Sequence, residues 1–413
     1  METRSRSAAT PPDDRVIIAG GGPVGLVAAL ALAQAGIPVL VLEAEPAPLT
    51  DQRGAAFHPP SLEMLAALGL ERELHALGLV VPVWQICDGA DGSVIAEFDL
   101  ALIADETRYP YRFHLGQHLL LPVLLDRLGR FGHAEVRFDA RVTAVEPMPD
   151  RVIVDVASAD GAVSTESARW LIGADGARSA VRKALGIAFD GFTWPERFLV
   201  TNIALDLETL GFARTNYVSH PDRWAVVLKL SDADGQNLWR VTFPTDPTTP
   251  DETVLDEAAI QRRLAEIIPG ADRFPLRYAG LYRVHQRVAA SFRAGRVLLA
   301  GDAAHINNPL GGFGLNSGIH DAVNLAGKLA AVWHGTAGPE LLDRYDRQRR
   351  HANVAHVQAS SIRNKRILDE RDSTRRREAH DELRRIARDP ALAKQHLMNA
   401  SMINSVREAE GIA

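Results

Sequence analysis

The sequence predicts a mixed α/β protein, with a Rossmann-like domain interleaved with an antiparallel-sheet domain and C-terminal helices after both. Three observations predict it. The stretch "VIIAGGGPVGLVAALALAQAGIPVLVLEAE", Val16 to Glu45, reads as apolar strand, glycine turn, helix and second apolar strand. From Ala294 to Leu329 the chain returns to strand–glycine–helix order. Between them, β-branched and aromatic stretches such as "FLVTNIAL", "WAVVLKL" and "NLWRVTF" alternate with turn clusters such as "SDADGQ" and "PTDPTTP", the pattern of antiparallel strands.

The 413 residues allow two domains of ordinary length, and 46% hydrophobic with 24% charged residues is the profile of a globular protein with a large core. A formal charge of -6 gives no electrostatic reason to expect nucleic acid or an anionic membrane as partner. A single cysteine, Cys87, excludes an intramolecular disulfide and a CxxC metal pair and favours a reducing, cytoplasmic setting. Residues 1–14 read as a disordered leader, because no apolar core follows their two arginines.

The first apolar run is long enough to cross a bilayer, which takes ~20 residues. Gly20 to Gly22 followed by Pro23 argues against one continuous helix. Pro23 suits a first helical turn and Gly36 a position just past a helix end. Two wholly apolar strands suit a parallel sheet covered on both faces. Within this βαβ unit lies Gly20-x-Gly22-x-x-Gly25. Gly20 allows the tight turn, Gly22 lets the backbone approach a pyrophosphate, and Gly25 permits close helix–strand packing. Glu43 ends the second strand 18 residues after Gly25, near the spacing of an acid that binds ribose hydroxyls. The motif alone does not separate NAD from FAD.

Next, "TDQRGAAFHPPSLEMLAALGL" reads as a loop and a helix with Ser61 as N-cap. In "RWLIGADGARSAVRKALGI" an apolar strand meets a turn at Gly173–Gly176, and Ser179 is placed to cap a short helix. Asp175 there stands beside Arg178, Arg182 and Lys183, able to pair internally or to orient a phosphate-bearing ligand. "VLDEAAIQRRLAEII" reads as a helix. The strand "RVLLA" ends at Gly301-Asp302, which puts a carboxylate where open α/β sheets bind ligands. After Pro309, the loop Gly311-Gly312-Phe313-Gly314 lets backbone lie against a flat ring. The helix behind it, entered through Leu315 and Asn316, offers a positive N-terminus to an anion. In the last stretch both charge signs mix, with Asp381 and Arg385 spaced for an i,i+4 pair on a solvated helix face.

Three motifs therefore occur in order: GxGxxG (Gly20–Gly25), a DG turn (Asp175-Gly176) and a GD segment (Gly301–His305). Together, over about Val16 to Trp333, they resemble the single-component FAD-dependent aromatic monooxygenases of the para-hydroxybenzoate hydroxylase type. The resemblance implies FAD, with its adenosine ribose on Glu43 and its pyrophosphate over the turn of Gly20, Gly22, Pro23 and Gly25. Arg53 matches a family arginine near the pyrophosphate, Gln117 a glutamine that touches the cofactor, and Asp302 the ribityl-binding aspartate. Pro309, Gly312, Gly314, Leu315 and Asn316 match the loop and helix start at the isoalloxazine ring, Pro309 counting also with the catalytic loop. Asp175 belongs to the turn that supports both flavin and NADPH.

The implied reaction uses NADPH or NADH to reduce the flavin. Dioxygen then forms a hydroperoxide whose distal oxygen passes to an electron-rich ring carbon of a small phenolic or heteroaromatic substrate. The alternative is an FAD-dependent reductase or oxidase of a non-aromatic substrate. The implied FAD-binding domain comprises 15–80, 100–186 and 280–345; the substrate domain 81–99 and 187–279; the C-terminal helical segment 346–413. A homodimer is the assembly to test. Tyr217, His220, Trp224 and Arg240 are substrate candidates. His58, in the loop after Arg53, is the candidate general base, since a near-neutral pKa suits deprotonating a phenol. No HExxH or GxSxG occurs, so neither a metal site nor a hydrolase triad is expected.

Overall fold

A computed structural model describes residues 14–48, 56–230 and 237–413. The strand Val16–Ala19 turns at Gly20 into the helix Pro23–Gln34, which stops at Gly36 before the strand Val39–Leu42. Gly20 and Gly36 both take left-handed backbone, with φ of 104° and 76°, which costs glycine nothing and other residues about 1–2 kcal/mol. The six-stranded sheet runs Arg293–Ala294, Val297–Leu299, Trp170–Gly173, Val16–Ala19, Val39–Leu42, Ala134–Arg137. Every pairing in it is parallel except the first. Its central strands are wholly buried, as their unbroken apolar sequence requires.

The helix Phe313–Trp333 packs on the first helix. Small residues set how close: a Cβ on Gly318 would stand 2.5 Å from a Val24 methyl. Among the described residues no helix is long and apolar enough to cross a membrane.

The second sheet has eight strands. In order they are His305–Ile306, Leu276–Ala289, Phe189–Ala204, Leu238–Thr245, Ala225–Lys229, Thr215–Ser219, Val83–Asp88 and Val94–Asp99. It is antiparallel except where Thr215–Ser219 meets Val83–Asp88. The strand Leu276–Ala289 runs on past residue 280, so the boundary expected there falls inside one continuous strand. Leu276–Ala289 thereby carries the chain out of this sheet towards the Rossmann-like half.

The chain ends in helices Leu341–His351, Ala359–Asp369, Ser373–Arg388, Pro390–Ala400 and Ile403–Glu410, with a π-helical turn over Ala352–Gln358. They are more than a solvated appendage, because Leu383, Leu397 and Met398 join Trp84, Phe98 and Phe198 in one buried cluster.

Two local expectations are corrected. Ser61 lies inside its helix, which starts at Pro59 behind His58 as N-cap, since proline presets the first-turn φ. Arg385 pairs with Glu382, and Arg384 takes Asp381, both at i,i+3. The leader's residues 1–13 and Arg53 lie outside the described residues.

Candidate functional site

At the carboxyl ends of the parallel strands lies an elongated cavity of about 490 Å³. Gly20, Gly22 and Pro23 form one wall, with Glu43 at one end and Gln117, Asp175 and Arg178 along the sides. The glycines do different things. A Cβ on Gly20 would stand 2.3 Å from the Ala174 carbonyl oxygen, and one on Gly25 2.0 Å from that of Gly20. Both positions therefore hold backbone against backbone. A Cβ on Gly22 would meet nothing within 4 Å, so this position is open for a ligand to approach. The Glu43 carboxylate accepts from the N–H groups of Gly21 (2.6 Å) and Glu45 (2.9 Å), which fix it at the cavity rim.

Asp175 lines the cavity, but its carboxylate is engaged. It accepts from the Ser179 hydroxyl (2.5 Å) and from the N–H groups of Ala180 (2.7 Å) and Val181 (3.1 Å). Ser179 caps the same helix as expected, accepting from Arg182 N–H. Arg182, nearly buried, donates to the carbonyls of Ala177 (2.9 Å) and Ala303 (2.7 Å). One guanidinium thus ties the DG turn to the GD segment.

A second cavity, about 420 Å³, opens against the eight-stranded sheet. Asp302, Gly314 and Leu315 line both cavities, so the two meet at the GD turn and the start of the helix Phe313–Trp333. Gly312 caps that helix in left-handed backbone (φ 71°), and its first turn contains no acid. The N-terminus of that helix, with its dipole worth roughly half a positive charge, therefore points at the junction. Pro309 and Gly312 line the second cavity.

A buried network, not visible in the sequence, holds the junction from behind. Asp321 accepts from Gly301 N–H (3.0 Å), His305 Nε2 (2.6 Å) and Arg349 Nε (2.6 Å). Burial pushes its pKa up, but His305 and Arg349 outweigh that and hold it below the usual carboxylate range.

Asn316 and His58 are structural in this geometry. Asn316 accepts from His58 N–H (2.8 Å) and donates to the carbonyls of Ala56 (2.8 Å) and Gly312 (2.6 Å), so its side chain is fully occupied. His58 is wholly buried and donates from Nε2 to Gly311 O (2.8 Å). It lines neither cavity, and burial with the nearby Arg112 charge lowers its pKa to about 3. The expectation of a near-neutral base is corrected: His58 stays uncharged and braces the glycine loop.

The second cavity is also lined by polar groups. Tyr217 and Arg240 line it; His220 and Trp224 do not. Trp224 is 2% exposed and packs edge-on against Phe198, while the His220 ring accepts from Arg223 N–H at 3.0 Å. Sequence reasoning missed Arg112, His114 and Tyr282, all of which line this cavity. Arg112 and His114 lie two apart on the strand Arg112–His114 and so share a face; the alternation in "YRFHLGQ" is the signal that could have found them.

Arg112 is 4% exposed, donates to the Tyr217 hydroxyl (3.1 Å) and stacks over Trp84 at 4.8 Å. Its Nε lacks a hydrogen-bond partner, and among the described residues no carboxylate pairs with it. Arg240 donates to Asn202 Oδ1 (3.2 Å), and burial lowers its pKa to about 10, leaving it cationic at neutral pH. His114 donates from Nδ1 to Lys229 O (2.6 Å), and burial lowers its pKa to about 4. Cationic groups thus share the cavity with apolar walls that include Phe198, Val226 and Leu310.

These residues fit FAD: a glycine cradle with open approach, a fixed acid for hydroxyls, and a helix N-terminus with no acid in its first turn. The FAD binding domain family matches residues 13–360. The chain is 38% identical over 404 residues to para-nitrophenol 4-monooxygenase of Pseudomonas sp. (strain WBC-3), covering 96% of this chain and 98% of that one. It is 38% identical over 357 residues to a 6-hydroxy-3-succinoylpyridine 3-monooxygenase of Pseudomonas putida (strain DSM 28022 / S16), with 86% and 88% covered. Its fold matches the crystal structure of a p-nitrophenol 4-monooxygenase from Pseudomonas putida DLL-E4 at TM-score 0.90 and 34% identity, covering 95% and 98% of the two chains.

Proposed function

The chain belongs to the FAD binding domain family of single-component aromatic monooxygenases, and from that premise we propose that it hydroxylates a small phenol bound as an anion. The enzyme is an FAD-dependent monooxygenase with NAD(P)H as electron donor. Bound FAD accepts hydride from NAD(P)H and activates dioxygen; the protein's part is position, charge and exclusion of water.

In this reading Glu43 takes the adenosine ribose, and the Gly20–Pro23 turn takes the pyrophosphate. Asp302 would hold the ribityl chain, and the N-terminus of the helix Phe313–Trp333 would favour negative charge on the bound ring. Phe198, Val226 and Leu310 present an apolar wall to the substrate ring. Arg112, with Tyr217 on its guanidinium, and Arg240 supply the countercharge.

One observation carries the proposal: the two cavities meet at Asp302, Gly314 and Leu315, and the buried Arg112, with no carboxylate paired to it among the described residues, lines the second. Burying such a cation is costly, and an anionic ligand offsets that cost. The relatives' names specify a nitrophenol and a hydroxylated succinoylpyridine, both acidic molecules. The division into FAD-binding and substrate domains, a cytoplasmic location and a homodimer complete the proposal. Fractionation and light scattering test the last two.

The test is NAD(P)H oxidation across matched acidic and neutral phenols, with products weighed by mass spectrometry. Acidic phenols should give coupled turnover and products one oxygen heavier. Turnover yielding only hydrogen peroxide with every phenol would favour the oxidase alternative.

A further inference from the structure

We propose that His351, His356 and Glu408, none of which lines either cavity, form a binding site for a zinc-type divalent cation. The two histidines are five residues apart in "RRHANVAHVQ". On an α-helix that spacing turns side chains about 140° apart. Here the helix changes at Ala352 into a π-helical segment that runs to Gln358. With its i→i+5 pattern, positions five apart come round to nearly the same face. π-Helical residues make up well under 1% of protein structure and recur at functional sites. This one brings two imidazoles together, with ring centroids 6.1 Å apart.

Glu408 reaches them from the last helix. Its Oε1 lies 2.6 Å from His351 Nε2, and its Oε2 3.0 Å from His356 Nε2. One ligand atom from each residue lies within 4.8 Å of the other two. Zinc holds imidazole nitrogen and carboxylate oxygen at about 2.0–2.2 Å, so its tetrahedral ligands stand about 3.4 Å from one another. The separations here, 2.6 Å and 3.0 Å to the carboxylate and up to 4.8 Å overall, bracket that value. Two histidines, one carboxylate and a water form a common zinc donor set, and imidazole selects zinc over magnesium or calcium.

Two further observations point to a ligand. The His356 Nε2 atom is shut off from solvent and, apart from its 3.0 Å ion pair with Glu408, has no partner. No lysine or arginine pairs with Glu408 among the described residues. The platform is also fixed in advance. Arg344 and Gln348 both donate to Ile412 O at 2.8 Å, and Arg347 to Ala413 O at 2.9 Å, clamping the C-terminus onto the helix Leu341–His351. A cation here would staple that C-terminal helix to the π-helical turn.

The test uses the full-length FAD-loaded protein after chelator dialysis, titrated with Zn²⁺ by calorimetry and melted with Zn²⁺ or Mg²⁺. One Zn²⁺ per chain should bind, and the melting temperature should rise with Zn²⁺ but not with Mg²⁺. Glu408→Gln and His356→Gln should each weaken binding at least about tenfold. Both should keep wild-type circular dichroism and zinc-free turnover. No saturable binding to the wild type, or wild-type zinc affinity in both variants, overturns the proposal.

Discussion

Replacing Gly20 or Gly22 with alanine separates two reasons for glycine that sequence alone merges. At Gly20 the added methyl would lie 2.3 Å from the Ala174 carbonyl oxygen on a residue with φ 104°. The left-handed backbone costs an L-residue about 1–2 kcal/mol, and overpacking adds about 1–3 kcal/mol. Gly20→Ala should therefore destabilise the deflavinated protein by about 2–5 kcal/mol. At Gly22 the methyl meets no protein atom within 4 Å, and its φ of −72° suits alanine. The loss is the N-cap preference of glycine over alanine, about 0.5 kcal/mol, so the apoprotein should melt almost as wild type. Its methyl does project into the space assigned to the pyrophosphate, so FAD affinity should fall at least tenfold, or about 1.4 kcal/mol. Urea denaturation of the apoproteins and fluorescence titration with FAD read the two quantities separately. If Gly22→Ala bound FAD as tightly as wild type, or unfolded as early as Gly20→Ala, the placement of the cofactor over this turn would be wrong.

Three further predictions rest on the buried charges. Arg112→Met should weaken binding of an anionic phenol by roughly 10–100-fold, the value of a hydrogen bond to a charged group, and barely affect a neutral analogue; an equal loss for both would point to packing. Asp321→Asn should cost about 3–5 kcal/mol, because it leaves Arg349 buried without its carboxylate, and unchanged urea denaturation would refute that. His58 stays unprotonated in the native state down to about pH 3, whereas the unfolded histidine takes up a proton below about 6.5. Its contribution is complete above pH 6.5 and is lost as pH falls towards 3, at up to about 1.4 kcal/mol per pH unit. Wild type should therefore lose about 2 kcal/mol more than His58→Asn between about pH 7.5 and 5, and parallel stability curves would contradict the assignment.

The cofactor half was legible because its constraints are local. A glycine that turns, a proline that starts a helix and an acid that ends a strand are each decided within a few residues, so Gly20, Glu43 and Asp302 could be placed in order. The substrate half was not. Arg112 reaches the cavity from a short strand that pairs with Ala56–Phe57 and Leu79–Val81, and its meaning comes from Tyr217 and Trp84, distant in sequence. His58 looked like a base because its loop is near the ring; burial, which no sequence pattern displays, makes it a brace. Asn316 was expected at the cofactor, yet its amide is consumed in joining the loop to the helix. Trp224 stands just before the strand Ala225–Lys229 with its ring packed into the core against Phe198, which its place in the sheet sequence does not reveal. Ser61 failed as a cap because two prolines had already started the helix. The π-helical turn at Ala352 leaves no signature in composition or period.

The central claim is that this chain places oxygen from dioxygen on an aromatic ring at the junction of the two cavities. Turnover of an acidic phenol with an unsubstituted ring position, with NAD(P)H under ¹⁸O₂, tests it most directly. One ¹⁸O atom is expected in the hydroxylated product, and the other in water, for each NAD(P)H consumed in coupled turnover. Product carrying oxygen only from water, or NAD(P)H oxidised to peroxide with every aromatic offered, would contradict it.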